Sequence, residues 1–343
     1  MQYEVTIGIP VYRAADYIRQ TMESALCQSF SSIEFLIVDD CGEDGSIAIV
    51  EEIQRNHLRG KDIRIVSNNR NLGVGVARNQ ILREARGRYL YFLDSDDIIE
   101  PDTISKLISV IRKFGAEIVY GSWKRVDKVN HSPSKNYVYP YKELVTPDSL
   151  ALFAFKNYSS FRISVCNCLM DISFLREEKL QFIDSAFWED LAFTYEMVTR
   201  VKRAILLSDI TYQYICRPGS LSHYQDREIL QIEEILNNVQ TINYLKEKSR
   251  DLSRKPYAPY MCYNLEMNSF YIICYILKNE YRINRAISPS EMRSILQHPL
   301  DFKSIFRFRN KFFQNMSFWF IGHLPSSLSV SIICLLGKIK GVI

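Results

Sequence analysis

Along the first 120 residues the apolar positions switch repeatedly between two periods. Residues 5–9 form a short, nearly all-apolar run ending at Pro10, which predicts a buried strand. Residues 14–26 carry apolar side chains at helical spacing, and 33–38 form a second apolar run closed by Asp39-Asp40. Gly45-Ser46 then opens a helix through residue 56, followed by a strand at 63–66, a helix at 74–85 and a strand at 89–93 that is again closed by acids. Pro101 takes the favoured first position of a helix running to Phe114, before a strand at 117–120.

This alternation, with strands apolar on both sides, predicts an α/β fold: a mostly parallel sheet with helices on both faces. Ligands of such sheets bind at the carboxyl ends of the strands. Residues 122–225 are irregular and aromatic, whereas 228–250 and 258–280 are long helical patterns, the second apolar on most sides. Three parts follow: a nucleotide-type half (1–100), an acceptor-facing half on the same sheet (101–225) and a helical C-terminal region (226–343).

The composition fits a core-forming chain of about two domains, with 47% hydrophobic and 24% charged residues in 343. A net charge of +4 is too small for a nucleic-acid-binding protein. The start of the chain has neither a basic nor an apolar leader region, so no secretory signal is expected. Eight cysteines without a C-x-x-C pair read as buried, reduced thiols of a cytoplasmic protein, with Cys166 and Cys168 in strand core. The most membrane-like stretch, 316–336, is broken by His323, Pro325 and several serines. From Asp301 onward six Lys and Arg face that single acid, interleaved with Phe and Trp. Two readings are open for this segment: peripheral contact with an anionic membrane surface, or a C-terminal helix packed on the body with a solvated basic face.

Four polar clusters stand where chemistry is expected. Asp94-Ser95-Asp96-Asp97 places three carboxylates in four residues, which repel unless a counter-ion is present. Hard oxygens at that spacing suit Mg²⁺ or Mn²⁺ bound together with substrate phosphates, while the plainer reading makes Asp96 or Asp97 a helix cap. Gly73-Val74-Gly75 is not a dinucleotide fingerprint, since Arg78 stands where the third glycine belongs and the loop does not follow the first strand. No P-loop occurs anywhere. Arg78 would lie beside the strand-end acids, pairing with one of them or with a phosphate. Glu189-Asp190 opens an amphipathic helix, as catalytic acids or simply as first-turn acids complementing the helix dipole. His57, His131, His298 and His323 read as surface or packing residues.

Together, Thr6-Ile7-Gly8-Ile9-Pro10-Val11-Tyr12, Val38-Asp39-Asp40, Asn71-Leu72-Gly73 with Ala77-Arg78-Asn79, and Leu93-Asp94-Ser95-Asp96-Asp97 resemble glycosyltransferase family 2, of the GT-A fold, in order and spacing over roughly residues 3–225. The resemblance implies a nucleotide-sugar donor, UDP-linked, a divalent Mn²⁺ or Mg²⁺ ion and inversion at the anomeric carbon. It places Pro10, Val11, Tyr12 and Arg13 at the nucleoside, Asp39 on the base N–H, Arg78 near the base or phosphates, Asp94 and Ser95 at the ribose and metal, and Asp96 as principal metal ligand. Phe187-Trp188-Glu189-Asp190 matches the element that supplies the catalytic pair, with Asp190 as the base and Glu189 holding the acceptor or the orientation of the base. Arg217-Pro218-Gly219-Ser220-Leu221-Ser222-His223 resembles the loop closing on the diphosphate, with Arg217 and Ser220 on the donor and His223 at the metal, although Cys216 stands where a second basic residue is common.

The implied acceptor is a hydroxyl of a glycan or lipid-linked glycan, as in surface polysaccharide synthesis. The expected location is the cytoplasm or the cytoplasmic face of the inner membrane, with a homo-oligomer left open. Two other classes compete. A sugar-phosphate nucleotidyltransferase needs a glycine-rich, lysine-bearing loop after strand one, which Pro10-Val11-Tyr12-Arg13 is not. A non-catalytic nucleotide-sugar binder has no need of Asp94, Asp96 and Asp190 together.

Overall fold

The computed structural model describes residues 3–128, 133–159, 164–185, 188–217 and 228–343. The chain divides into two units, the first made of 1–150, 163–184 and 189–220 and the second of 151–162, 185–188 and 221–343.

The first unit begins with β1 (Val5–Val11), α1 (Ile18–Leu26), β2 (Ile33–Asp39), α2 (Ser46–Asn56), β3 (Ile63–Ser67), α3 (Val74–Glu84) and β4 (Tyr89–Phe92). It continues through β5 (Ile98–Ile99), α4 (Thr103–Phe114), β6 (Ile118–Asp127), β7 (Lys135–Tyr137) and β8 (Lys142–Leu144). After α5 (Ser149–Lys156), most of which belongs to the second unit, come β9 (Cys168–Asp171), α6 (Ile172–Glu177), α7 (Glu189–Arg200) and β10 (Ala204–Cys216). The strands form one mixed sheet in the order β3-β2-β1-β4-β9-β6-β10-β5, with β7 on β6 and β8 on β10. Only parallel pairs join β3, β2, β1 and β4. The short β9 runs antiparallel between β4 and β6, so β6 and β10 again point the same way as β1. Val11, Asp39, Phe92, Asp127 and Cys216 therefore end on one edge of the sheet.

Local chemistry explains the departures from the sequence pattern. The expected helix at 14–26 begins at Ile18, because Ala14 accepts from the Tyr17 and Ile18 amides in a separate turn entered through Arg13 at φ 48°. Strand β1 continues through Pro10 although proline lacks a ladder donor. The Gly8 carbonyl accepts from Leu93 on the β4 side, and Pro10, two residues on, faces that side only after β4 has ended. Residues 122–216 contain far more strand than their irregular pattern suggests. Their strands are short, or bulged like β10, so no period-2 signal survives.

A buried polar knot joins the inserted strand to its neighbours. Asn167, at φ 60°, donates through Nδ2 to the carbonyls of Gly121 (2.6 Å) and Ser122 (3.0 Å) and accepts from the Thr211 hydroxyl (2.6 Å). Gly121 is required here, since a Cβ would lie 1.8 Å from Thr211 Oγ1.

The second unit holds the helices α8 (Ile232–Arg250), α9 (Ala258–Lys278), α10 (Pro289–Ile295), α11 (Phe302–Ile305), α12 (Phe312–His323) and α13 (Ser326–Ile339). Pro289 at the first turn and a capping box between Ser288 and Glu291 start α10. Inside the unit, buried Lys246 pairs with buried Glu266 at 2.7 Å and donates to the carbonyls of Ile295 and Gln297, fastening α8 to α9 and to the end of α10. Among the described residues no helix is long and apolar enough to cross a membrane.

Replacing Asn167 with Leu strips two buried carbonyls and the Thr211 hydroxyl of their partner and forces a branched side chain into a left-handed backbone. The expected loss is about 2–4 kcal/mol of stability, read as a lower midpoint in urea denaturation.

Candidate functional site

The carboxyl edge of the sheet gathers the acids in pairs, and each pair divides its work. After β2, Asp40 is buried and fully engaged. It accepts from Asn68 Nδ2 (2.8 Å) and from the backbone amides of Leu72 (3.0 Å) and Gly73 (2.8 Å), shaping the turn into α3. Gly73 sits at φ 90°, a conformation side chains resist. Asp39 remains half-buried, accepts from the Cys41 amide (3.0 Å), and with Val11, Arg13, Gly42, Asp44 and Ser46 lines a cavity of about 170 Å³. Pro10 and Val11 are buried beside it, while Tyr12 and Arg13 are exposed with the guanidinium 5.2 Å from the ring centroid.

After β4 the pattern repeats. Asp97 is buried, accepting from Tyr212 Oη (2.6 Å) and from the Ile215 amide (2.7 Å), which ties this loop to β10. Neither Asp96 nor Asp97 caps the next helix, because α4 starts at Thr103 behind Asp102. Asp96 instead makes an ion pair with Arg217, just past the end of β10, and Arg217 lies 4.7 Å from the Tyr17 ring centroid. Burial, followed by the nearby Asp94 charge, raises the Asp96 pKa above the usual carboxylate value. Ser95 is buried, with its carbonyl held by Thr21.

Arg78, on α3, joins these acids to those of α7. One terminal nitrogen donates to Glu189 Oε1 (2.6 Å) and the other to Asp94 Oδ1 (2.8 Å), while the guanidinium carbon lies 5.6 Å from the Phe182 ring centroid. Both terminal nitrogens of the buried Arg78 are thereby held by carboxylates. Gly75, one helical turn earlier, permits this approach, since a Cβ there would come within 3.0 Å of the Ile183 carbonyl and 3.3 Å of Glu189 Cγ. Glu189 and Asp190 do open α7, and Asp190 Oδ1 accepts from the Leu191 amide. Burial pushes the Glu189 carboxyl up to about 7 against the lowering pull of Arg78, and raises Asp190 for the same reason. Asp94 and Asp190 both lie close enough to Arg78 to raise its pKa, so the four groups form one electrostatic cluster.

Ser220, His223 and Phe187 lie outside the described residues, and Trp188 immediately precedes α7 at φ 61°. Among the described residues no group of three or more His, Cys, Asp or Glu converges as a cation cage. The sequence reading had no signal for Tyr17 or Phe182, which are ordinary aromatic positions until the chain is folded. Asp40 and Asp97 were visible only as parts of doublets.

The raised Glu189 value fixes a pH dependence. The unfolded chain ionises this carboxyl near its ordinary 4.5, whereas the folded one holds its proton until about 7. The folded state thus binds more protons in that window, and Glu189 makes stability fall as pH rises through it. Glu189→Gln should flatten this part of the stability-against-pH curve in urea denaturation, and unchanged slopes would contradict the assignment. Arg78→Met leaves two carboxylates without their buried cation and should cost about 3–5 kcal/mol, with Arg78→Lys losing less.

Comparison with known proteins identifies the family and the fold. The sequence profile of glycosyl transferase family 2 matches residues 6–179. The succinoglycan biosynthesis protein ExoO of Rhizobium meliloti is 29% identical over 225 residues, 64% of this chain and 62% of that protein. Chondroitin synthase of Escherichia coli is 36% identical over 137 residues, 40% of this chain but 19% of the enzyme, so the chain matches only part of these relatives. The WfaP protein of Escherichia coli, a UDP-Glc:alpha-D-GlcNAc-diphosphoundecaprenol beta-1,3-glucosyltransferase, is 28% identical over 237 residues, 68% of this chain and 86% of that protein. In fold, residues 1–349 of S. aureus TarS, solved with UDP-GlcNAc, superpose with a TM-score of 0.69 at 18% identity, covering 98% of this chain and 92% of that one. With a matching profile over half its length, acids at the strand ends and a GT-A-type sheet beneath them, this chain belongs to glycosyltransferase family 2.

Proposed function

We propose that this protein is an inverting glycosyltransferase that moves a sugar from a UDP-sugar to a hydroxyl of a glycan or lipid-linked glycan in polysaccharide synthesis. The observation that carries this reading is the bridge from Asp94 through Arg78 to Glu189, which brings strand-end acids and the α7 acids to one point. The names of the relatives, one with a UDP-glucose donor and a diphosphoundecaprenol-linked acceptor, support the substrate classes.

The cavity lined by Val11, Arg13 and Asp39 would take the nucleoside, with Pro10 and Tyr12 adjacent in the chain and the second Asp39 oxygen accepting the base N–H. Asp94 and Asp96, each with one oxygen on an arginine, would use their remaining oxygens to hold a divalent cation. Burial, and after it the Asp94 charge, raise the Asp96 pKa, so a cation beside it would be favoured. When bound, Mn²⁺ or Mg²⁺ would supply charge neutralisation for the leaving diphosphate. Arg217, paired with Asp96, would neutralise the same diphosphate, and Ser220 and His223, next in the sequence, would assist it.

Asp190 is the base. As the acceptor oxygen attacks the anomeric carbon, its proton passes to the Asp190 carboxylate, while the C1–O bond breaks and its electron pair leaves with UDP. Glu189 is held by Arg78 and orients its neighbour. Arg78 is a positioning residue. A lipid-linked acceptor calls for work at a membrane surface, and the positively charged C-terminal segment is the part of the chain suited to it.

The test is UDP release and product formation across UDP-sugars with Mn²⁺ and a glycan or lipid-linked acceptor. Asp96→Ala and Asp190→Asn should each lower turnover by about 10²–10⁴-fold, and chelation should abolish it. Wild-type rates in both variants would sink the assignment.

A further inference from the structure

We propose that an aromatic ridge on α11 and α12 docks this protein on an anionic lipid bilayer. The rings of Phe302, Phe306, Phe312 and Phe313 follow one another at centroid distances of 6.0, 5.6 and 5.3 Å, and Trp319 joins Phe302 at 5.4 Å. They form one patch rather than scattered residues, yet it faces water: Phe306 is 66% exposed, Phe313 79% and Phe320 52%. Soluble chains rarely leave a contiguous aromatic surface uncovered unless something binds it.

Charge identifies the occupant. Lys303, Arg307, Arg309 and Lys311 are threaded between these rings, and no Asp or Glu occurs from 302 to 343. A second copy of the chain would set this unbalanced positive segment against its equal. Acidic lipid headgroups complement it, and Phe and Trp rings settle at the headgroup boundary while Lys and Arg stay in the polar layer. Since none of the described helices can cross a bilayer, the contact lies in the interface plane. The proposal gives the acceptor reading a physical setting but is measured without donor or acceptor, so the two fail separately.

The experiment is co-sedimentation of the full chain with vesicles of phosphatidylcholine alone or of equal parts phosphatidylcholine and phosphatidylglycerol, at low and high salt. Binding is expected to the mixed vesicles only, and to weaken with salt. Lys303→Gln, Arg307→Gln and Arg309→Gln combined, all exposed, should weaken it roughly 100-fold, and Phe306→Ser with Phe313→Ser by about tenfold or more. Both variants should keep the wild-type melting temperature, since these side chains lie at the surface. Absence of binding to anionic vesicles, or binding indifferent to both variants, overturns the proposal. Self-association in light scattering that Phe306→Ser and Phe313→Ser abolish, without vesicle binding, overturns it in favour of a second copy.

Discussion

A guanidinium buried under the carboxyl edge of the sheet sets the terms for everything around it. Burying Arg78 alone would be costly, and burying Glu189 or Asp190 without it would be costly too. Each is tolerated because the others are present. The packing is close as well: a side chain at Gly75 would crowd the Ile183 carbonyl and Glu189, and Phe182, stacked on Phe193 at 4.1 Å, supplies an aromatic floor. A helix from the first half of the sheet and a helix from the second are thereby held to one electrostatic cluster.

The acid doublets at the strand ends follow one division of labour. Asp40 and Asp97 are consumed by backbone amides and a tyrosine hydroxyl, and they shape loops. Asp39 and Asp96, one residue before each, stay partly exposed, Asp96 in an ion pair with Arg217. In each doublet one acid is an anchor for neighbouring loops and the other is left partly exposed. Glu189 and Asp190 divide similarly, the first fixed by Arg78 and the second using one oxygen on the Leu191 amide.

The second unit applies the same electrostatics in the opposite direction. Its interior buries a lysine and a glutamate, satisfied by each other and by helix-end carbonyls, while its outer face leaves aromatic rings in water among unpaired-sign cations. Internal order and an unfinished surface coexist there, which is the physical basis for reading that face as a place of contact.

The alternation of periods over the first 120 residues was legible because those strands are apolar on both sides and their helices are amphipathic. The acids closing β2 and β4 were legible because charge at the end of an apolar run breaks the pattern. The strands of the middle region were not: short or bulged strands leave no period, and β9 pairs with neighbours distant in sequence. The partner of Arg78 could not be read either, since Glu189 lies 111 positions away and only the packing of α3 against α7 brings them within 2.6 Å. Sequence by itself determined which residues carry charge and which strands end in it, because these are local properties of side chains and spacing. Tertiary structure alone decided which acid is spent on architecture and which stays partly exposed, because that depends on amides, rings and cations delivered from remote segments.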